Sequence, residues 1–408
     1  MNIQNNRLYF GAQSAGDLIE RYGSPLYVYE RETLERQYKR LHAAFRDADH
    51  SIYYACKANS NVELMKIFEQ LGAGIDAVSP GEIYLALHAG FTPDRILLTG
   101  TNLTRRELSY ALEKNVLVNI DNIQMLENNT DLFAGREISV RLNPDIHVGG
   151  HEYLATGHGE AKFGILYRDL PKILELVSKH GMTVAGLHQH IGSDITVADP
   201  LLQSLDLLLE KAAGLDTVRF LDIGGGFKVN YRETDPEPDI DGIGRRIGER
   251  INAFNNETNR RLRLIVEPGK YLVSAGGFLL TTVQSVKRNN EKIIVGTDTG
   301  MNHLIRPALY QAYHEIINAS KTSGQTEEVD VVGNVCESAD ILGENLSVTK
   351  PESGDILCIK NAGSYGYSMA STYNAHMLPA EVLVEGDTAR LIRRRQRFED
   401  LLHLHNNE

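Results

Sequence analysis

The 408-residue sequence has no tryptophan, only three cysteines, and no apolar run near the about 18 residues that a membrane-spanning helix needs. Cys56, Cys336 and Cys358 are an odd number, too few for a disulfide framework, and they lack the spacing of metal ligands. The first residues, MNIQNNRLYF, lack the basic segment and apolar core of an export signal. We therefore expect a cytoplasmic protein with free thiols and no membrane contact.

An excess of basic residues is also missing. The chain has 42 Lys and Arg against 54 Asp and Glu, which gives a formal net charge of -12, and no basic run exceeds RLIRRRQR. An acidic chain repels a phosphate backbone, so we expect no nucleic-acid partner. The hydrophobic content of 42% can supply large cores, and the length allows two domains or one large barrel with an appendage.

Short β-branched or aromatic segments alternate with amphipathic helical segments over the first two thirds of the chain. The eight strand-like segments are SIYYAC, GIDAV, RILLT, VLVNI, EISVRL, TVAGLHQHI, VRFLDI and RLRLIVE. Segments such as PGEIYLALHAG and LPKILELVSKHG separate them and carry apolar residues at helical spacing. An open doubly wound sheet gives the same alternation, so the count of strands is what predicts a (β/α)8 TIM-type barrel, over residues 31–273.

The pattern changes after Val273. Residues 274–408 contain the strand-like segments GFLLTTVQSVKR, KIIVGTD, VDVVGNV, DILCIKN and AEVLVEG, and within them ALYQAYHEIINAS is predicted to be helical. This pattern predicts a C-terminal β-rich domain, either a β-barrel or a sandwich. The strand-like PLYVYE precedes the barrel, and we expect residues 1–30 to pack on the C-terminal domain.

Lys57 follows the first barrel strand, SIYYAC, and precedes a short polar loop and the helix NVELMKIFEQLG. Side chains at the C-terminal ends of barrel strands form the active sites of such folds. A lysine taken alone more often extends from a strand end into water. A catalytic role therefore needs support from other groups.

Those groups follow the later strands. Three glycines in LDIGGGF end the seventh strand, where backbone N–H groups can hold a phosphate, although a glycine run alone is more often a tight turn. Glu267, which alone would be a cap or an ion-pair partner, ends the eighth strand. His188 and His190 lie on one side of the sixth strand, but a third ligand at suitable spacing is missing, so we expect no metal. An amine, a phosphate site, a carboxylate and a flat imidazole together suit a phosphorylated aldehyde cofactor.

Seven motifs carry a resemblance to a known family: YYACKANSN, HQHIGS, DIGGGF, EPGK, IRPALY, CESADIL and GSYGYSMASTYN. They resemble, in the same order and over nearly the whole chain, the alanine-racemase-type barrel decarboxylases that use pyridoxal 5'-phosphate. The set is most similar to the members that convert meso-2,6-diaminopimelate to L-lysine and CO2, the last step of lysine biosynthesis. The resemblance implies a barrel with a C-terminal β domain, pyridoxal 5'-phosphate as cofactor, and a head-to-tail homodimer.

The resemblance also implies roles for individual residues. Lys57 would bind the aldehyde of the cofactor, Glu267 would keep its ring nitrogen protonated, and His190 would lie against the ring. Cys336, by base rate a buried hydrophobe but followed here by polar residues, would act as a general acid in the site of the facing subunit, so each site would be shared. His188 is interpreted as a core residue or a support for its neighbours. The predicted cofactor-binding residues are Lys57, Asp76, His190, Ser193, Gly224, Gly225, Gly226, Glu267, Gly269, Lys270 and Tyr365.

The charges of the candidate substrates and of the site residues predict which substrate the protein binds. Diaminopimelate carries an amine and a carboxylate at its far end, whereas ornithine carries only the amine. Arg306, with Tyr310, could pair bidentately with that carboxylate, and Glu337 could bind the amine. Lys270 stands where the family usually has arginine, and lysine lacks the planar fork of arginine. The predicted substrate-binding residues are Lys270, Arg306, Tyr310, Glu337 and Tyr365.

Three alternatives remain open on the sequence alone. A non-enzymatic pyridoxal-phosphate carrier would share the barrel lysine but lack a C-terminal β domain. An inactive homologue with a regulatory role would be expected to lose Lys57 or Cys336, and both are present. An enzyme of this type could instead decarboxylate ornithine, arginine or a carboxylated polyamine precursor such as carboxynorspermidine, although Arg306 argues against the first two.

Overall fold

The computed structural model describes residues 1–145 and 162–405, which form two compact units. The β-unit comprises Met1–Leu34, Asn230–Asp235 and Val273–Glu408, and the barrel unit comprises Glu35–Val229 and Pro236–Leu272. In the described residues, no helix combines the length and the apolar character needed to cross a membrane.

Strands and helices are numbered along the chain. The strands are β1 (Asn2–Gln4), β2 (Arg7–Phe10), β3 (Gln13–Ser14), β4 (Leu26–Glu30), β5 (His50–Ala55), β6 (Gly74–Ala77), β7 (Ile96–Leu98), β8 (Leu117–Ile120), β9 (Glu137–Asn143), β10 (Ile165–Leu166), β11 (Thr183–His188), β12 (Phe220–Asp222), β13 (Arg263–Val266), β14 (Gly277–Asn289), β15 (Lys292–Thr297), β16 (Ile316–Asn318), β17 (Thr326–Val332), β18 (Ile341–Thr349), β19 (Ile356–Ile359), β20 (Ala380–Glu385) and β21 (Thr388–Arg393). The helices are α1 (Ala15–Tyr22), α2 (Arg31–Ala44), α3 (Val62–Gln70), α4 (Pro80–Ala89), α5 (Arg105–Glu113), α6 (Ile123–Glu127), α7 (Thr130–Phe133), α8 (Leu170–Lys179), α9 (Asp199–Ala212), α10 (Ile240–Thr258), α11 (Lys270–Val273), α12 (Arg306–Tyr310) and α13 (Phe398–Leu402).

The barrel unit contains a closed ring of parallel strands. The order is β5, β6, β7, β8, β9, β11, β12, β13, and β13 pairs with β5 to close the ring. These strands are the eight that the alternation of the sequence predicts, so the predicted barrel is confirmed. The two-residue β10 pairs with β9 in addition.

Hydrogen bonds fix the short connection between β5 and α3, which carries Lys57. The backbone N–H of Glu63 donates to Oδ1 of Asn61 at 2.9 Å, which caps α3. The buried hydroxyl of Tyr54 donates to the carbonyl oxygen of Asn59 at 2.7 Å. The loop therefore holds its side chains in place at the C-terminal end of β5.

The β-unit is built on a mixed sheet in the order β18, β17, β15, β14, β4, β20, β21, with β19 pairing with β14 and β16. The N-terminal β4 is antiparallel to β14 and parallel to β20. Buried side chains such as Leu8, Leu26 and Phe278 belong to one hydrophobic cluster of this unit. The C-terminal third of the chain is therefore rich in β-structure, as predicted.

One stretch differs from the sequence-based expectation. The spacing of ALYQAYHEIINAS predicts a helix, but α12 ends at Tyr310, Gln311 has a left-handed φ of 53°, and β16 follows. The β-branched Ile316 and Ile317 find partners across β19, and this pairing outweighs the local helical pattern. The prediction of a helix is therefore wrong beyond Tyr310. The sequence pattern also missed β18, in which Gly-Glu-Asn interrupts the apolar alternation.

Candidate active site

Lys57 lies in a single 3-10 turn, Cys56–Ala58, directly after β5. Its Nζ donates a hydrogen bond of 2.7 Å to Oδ2 of Asp76 in the neighbouring β6. Asp76 is fully buried, and burial and the charge of Glu267 raise its pKa, although the amine of Lys57 opposes this shift. The lysine is therefore paired with a buried carboxylate at the C-terminal end of the barrel strands.

Glu267 follows β13 and is 6% exposed, with its Oε2 3.1 Å from Nε2 of His188. Burial alone would raise the pKa of Glu267, but His188, Lys57 and His190 lower this pKa to about 2. Asp222, the last residue of β12, behaves oppositely, since burial and the charge of Glu267 raise its pKa well above the usual range. Glu267 is therefore ionised, while Asp222 holds a proton.

His188, Asp222 and Glu267 have donor atoms that all lie within 4.8 Å of one another. Asp222 and Glu267 could not be predicted as neighbours of His188 from the sequence, because they come from strands that are distant along the chain. Oδ2 of Asp222 and Oε1 of Glu267 receive no hydrogen bond from any other described residue, and the protonated Asp222 shares a side-chain hydrogen bond with Glu267. The buried, ionised Glu267 suits a protonated ring nitrogen.

His190 has a neutral ring, because burial and the positive charges of Lys57 and Arg141 lower its pKa to about 3. Its Nδ1 accepts a hydrogen bond of 3.3 Å from the backbone N–H of Gly225, so the ring proton is on Nε2. This bond fixes the imidazole beside the glycine run.

The glycine run Gly224, Gly225 and Gly226 follows β12 in a conformation that leaves no room for side chains. Gly224 and Gly226 have left-handed φ values of 67° and 98°. A Cβ on Gly225 would lie 2.1 Å from the carbonyl oxygen of Glu267. The buried Oγ of Ser193 has no partner among the described residues. The N–H of Gly224 donates to Oδ1 of Asp222 at 2.8 Å and the N–H of Gly225 donates to Nδ1 of His190. The hydroxyl of Ser193 is therefore the group beside the glycine run that fits a phosphate.

Gly269 and Lys270 follow Glu267 and pack on the same end of the barrel. A Cβ on Gly269 would come within 3.2 Å of the Cβ of Ala58, so this glycine allows close packing on the turn after β5. Nζ of Lys270 lies 3.2 Å from Oδ1 of Asp194, the residue after the unpartnered serine. Whether Lys270 contacts cofactor or substrate stays a prediction.

Arg141 is a functional candidate that the sequence analysis missed. It is a buried residue of β9, and its Nη1 lies 3.6 Å from Oδ1 of Asp121. Burial lowers the pKa of Arg141, while the charges of Asp121, Glu267 and Asp76 oppose that shift. A charge within the apolar segment EISVRL was the only signal in the sequence, since its partners lie on other strands.

Arg306 and Tyr310, predicted to bind substrate, are the first and last residues of α12 in the β-unit. Arg306 is 8% exposed, and its Nη1 contacts Oη of Tyr231 at 2.9 Å and Nε2 of His314 at 3.0 Å. Tyr310 is half-buried. The motif IRPALY predicted a substrate-binding role for the arginine, and this role stays a prediction. The sequence indicated neither of the two partners of Arg306.

Cys336, Glu337 and Tyr365 lie in loops of the β-unit. Cys336 and Glu337 are exposed, whereas the base rate for cysteine predicts burial. The backbone N–H of Cys336 donates to Oδ1 of Asn374 at 2.8 Å, which ties this loop to a second one. Tyr365 has a positive φ of 53°, a strained conformation for an aromatic residue. The roles of these residues in binding or catalysis stay predictions.

Three observations indicate that the side chains and loops of the barrel unit fit pyridoxal 5'-phosphate. Lys57 offers an amine for the aldehyde at a strand end. The glycine run leaves no room for side chains, and the hydroxyl of Ser193 beside it offers a donor for the phosphate. Glu267 offers a buried, ionised carboxylate for the ring nitrogen.

Comparisons with known proteins agree with this fit. Residues 31–274 match the family described as pyridoxal-dependent decarboxylase, pyridoxal binding domain. A diaminopimelate decarboxylase of Methanothermobacter thermautotrophicus is 38% identical to this chain, over 98% of this chain and 95% of the relative. The structure of diaminopimelate decarboxylase from M. jannaschii with L-lysine has a TM-score of 0.92 at 30% identity, covering 100% of this chain and 98% of that one. The enzyme from Helicobacter pylori with L-lysine has a TM-score of 0.88 at 33% identity, covering 95% and 98% of the two chains. This chain therefore belongs to the diaminopimelate decarboxylase family of pyridoxal-dependent decarboxylases.

Proposed function

We propose that this protein catalyses the pyridoxal 5'-phosphate-dependent decarboxylation of meso-2,6-diaminopimelate to L-lysine and CO2. The observation that carries the reaction type is the set of Lys57, ionised Glu267 and the glycine run at one end of the barrel. The buried guanidinium of Arg306 supports the choice of diaminopimelate as the substrate. Similarity to diaminopimelate decarboxylases over nearly the full length supports both the reaction type and the substrate.

The residues of the chain set the conditions for this chemistry. Bound pyridoxal 5'-phosphate supplies an electron sink for the electron pair that remains when CO2 leaves. Lys57 offers its amine to the aldehyde. Glu267, with a pKa of about 2, stays ionised at every physiological pH and can hold a proton on the ring nitrogen. The neutral imidazole of His190 offers a flat surface without a competing positive charge.

Charge complementarity supports diaminopimelate over other basic amino acids. A guanidinium can pair bidentately with the carboxylate that diaminopimelate retains at its far end. Ornithine and arginine have no carboxylate there, so Arg306 would stay unpaired when they bind. Tyr310 and Lys270 are proposed to assist in this contact.

We also propose a homodimer whose active sites each use residues of both chains. Cys336 and Glu337 are exposed and adjacent, so they are available to a facing chain. There the Cys336 thiol would donate a proton to the substrate carbon after CO2 leaves, and Glu337 would bind the distal amine. Three cysteines without a disulfide suit the reducing cytoplasm, which we propose as the compartment.

Borohydride reduction tests the attachment of the cofactor. Protein reconstituted with pyridoxal 5'-phosphate and then reduced should carry the cofactor mass on the peptide that contains Lys57. The control Lys66→Arg changes a lysine of α3 that pairs with Glu63 at 2.7 Å, and it should leave the labelling unchanged. A label on a different lysine of the wild-type protein would refute the assignment.

A further inference from the structure

Arg306 is held along one edge of its guanidinium. Its Nη1 contacts Oη of Tyr231 and Nε2 of His314 at 2.9 and 3.0 Å, and its Cζ lies 4.8 Å from the centre of the Tyr231 ring. Its Nε and Nη2 make no hydrogen bond to the described residues. Nε and Nη2 form the edge that can donate two parallel hydrogen bonds to one carboxylate. The packing therefore occupies one edge and leaves the opposite edge to a ligand.

His314 can serve Arg306 only as a neutral acceptor. It is 1% exposed, and its Nδ1 donates to the carbonyl oxygen of Lys360 at 2.9 Å. This bond places the ring proton on Nδ1 and leaves the lone pair of Nε2 for Arg306. Burial and the charge of Arg306 lower the pKa of His314 to about 3, so the ring remains an acceptor at neutral pH.

Tyr231 belongs to a short segment that is itself held firmly within the β-unit. The backbone N–H groups of Tyr231 and Arg232 donate to Oδ2 of Asp235 at 2.8 and 3.0 Å. Nδ2 of Asn361 donates to the carbonyl oxygen of Asn230 at 3.1 Å. The tyrosine ring also packs edge-on against His314, with ring centres 5.3 Å apart. The two partners of Arg306 thus support each other.

We propose that His314 and Tyr231 are positioning residues that orient Arg306 so that its Nε and Nη2 edge receives the distal carboxylate of the substrate. This inference rests on the proposed function, in which Arg306 binds that carboxylate. A guanidinium that is already fixed loses little side-chain entropy on binding, so the pair should increase both affinity and selectivity for ligands with a carboxylate. Neither residue needs to touch the substrate.

Two substitutions of His314 separate the roles of its nitrogen atoms. In His314→Gln, the side-chain amide can place an acceptor near the position of Nε2 and keep the bond to Arg306. In His314→Asn, the shorter amide can keep the donor near Nδ1 for Lys360 but has no acceptor that reaches Arg306. Tyr231→Phe removes only the hydroxyl and keeps the ring. Arg306→Ala serves as the reference for complete loss of the contact.

The measurement is the affinity of each cofactor-loaded variant for L-lysine and for cadaverine. L-lysine keeps the carboxylate that remains after decarboxylation, whereas cadaverine lacks it. We expect His314→Asn and Tyr231→Phe to weaken the binding of L-lysine by about tenfold and the binding of cadaverine by less than about twofold. His314→Gln should bind both ligands nearly as the wild type does. Cofactor absorbance and thermal unfolding show which variants are folded, and the conservative Tyr231→Phe keeps the test valid if a His314 variant fails to fold.

Three results would overturn the inference, and they have different meanings. Equal losses of affinity for L-lysine and for cadaverine in these variants would show that His314 and Tyr231 act on the general stability of the protein. Unchanged affinity for L-lysine in both His314→Asn and Tyr231→Phe, with a large loss in Arg306→Ala, would leave the proposed function intact and remove only the positioning role. A wild-type protein that binds both ligands equally would refute the carboxylate contact of Arg306, and with it both proposals.

Discussion

Asp76, Asp222 and Glu267 are three buried carboxyl groups at one end of the barrel, and they differ in charge because they differ in partners. Burial favours the neutral form of each. Lys57 lies against Asp76 and the imidazole of His188 lies against Glu267, whereas no lysine or arginine pairs with Asp222 among the described residues. The negative charge is thereby concentrated on Glu267, which faces the place proposed for the ring nitrogen.

Asp222→Asn tests this distribution of charge. A carboxyl whose folded pKa is raised above its unfolded value of about 3.9 keeps a proton that the unfolded chain has lost, so stability falls as pH rises above about 4. Asparagine has no such proton. The thermal midpoint of the cofactor-free variant, relative to wild type, should therefore increase from pH 5 to pH 8.

The exposed Asp216 offers a matched control in the same barrel unit. The same measurement on Asp216→Asn gives the change that comes from removing an exposed carboxyl of this unit. If the Asp222→Asn difference does not increase beyond that of the control between the two pH values, Asp222 is ionised in the folded protein and the assignment is wrong.

At the level of single residues, Lys57, His190 and Glu267 could be predicted as site residues because each lies in a recognisable local motif. Asp222 and His314 were not identified, although both lie in quoted segments of the sequence. The roles proposed for Asp222 and His314 depend on contacts between elements that are distant along the chain. Spacing within one motif carries no information about such contacts. Their assignment needed the structure.

The same distinction holds for secondary-structure elements. The eight barrel strands could be predicted, because each is a short apolar segment and amphipathic helical segments separate most of them. β16 could not be predicted, because its three residues follow a helical pattern and become a strand only through pairing with β19. The central position of β4 between β14 and β20 likewise depends on partners far along the chain.

Gly225→Ala tests the loop between β12 and α10 as a phosphate site. The added methyl group would lie 2.1 Å from the carbonyl oxygen of Glu267, so the loop must move. We expect about tenfold weaker binding of pyridoxal 5'-phosphate and a loss of roughly 1–3 kcal/mol in the free energy of unfolding. Titration of the cofactor-free protein by absorbance measures the affinity.

Gly214→Ala is the matched control for this variant. The nearest atom to its added methyl group would be 4.0 Å away, which is ordinary van der Waals contact. This control should bind the cofactor as wild type does. Wild-type affinity in Gly225→Ala would show that the glycine run does not shape the phosphate site.

For the whole molecule, the proposal of a shared active site makes a quantitative prediction about mixed dimers. Lys57→Ala and Cys336→Ala should each be nearly inactive alone. After subunit exchange at equal concentrations, about half of the dimers should be mixed and have one intact site of two. The mixture should therefore recover roughly a quarter of the wild-type activity.

Mass spectrometry of the intact dimers shows whether exchange has taken place. Mixing Lys57→Ala with Lys57→Arg gives the control, in which no intact site can form. If exchanged dimers of Lys57→Ala and Cys336→Ala have no activity, the two residues do not belong to a site shared between chains.

The central claim, decarboxylation of diaminopimelate, is tested most directly by product formation from a panel of substrates. Purified protein with pyridoxal 5'-phosphate should release CO2 from meso-2,6-diaminopimelate together with an equal amount of L-lysine. Because Arg306 would have no carboxylate to bind, kcat/KM for ornithine, arginine and lysine should be lower by about a hundredfold. Release of CO2 from ornithine or from a carboxylated polyamine precursor, but not from diaminopimelate, would contradict the account.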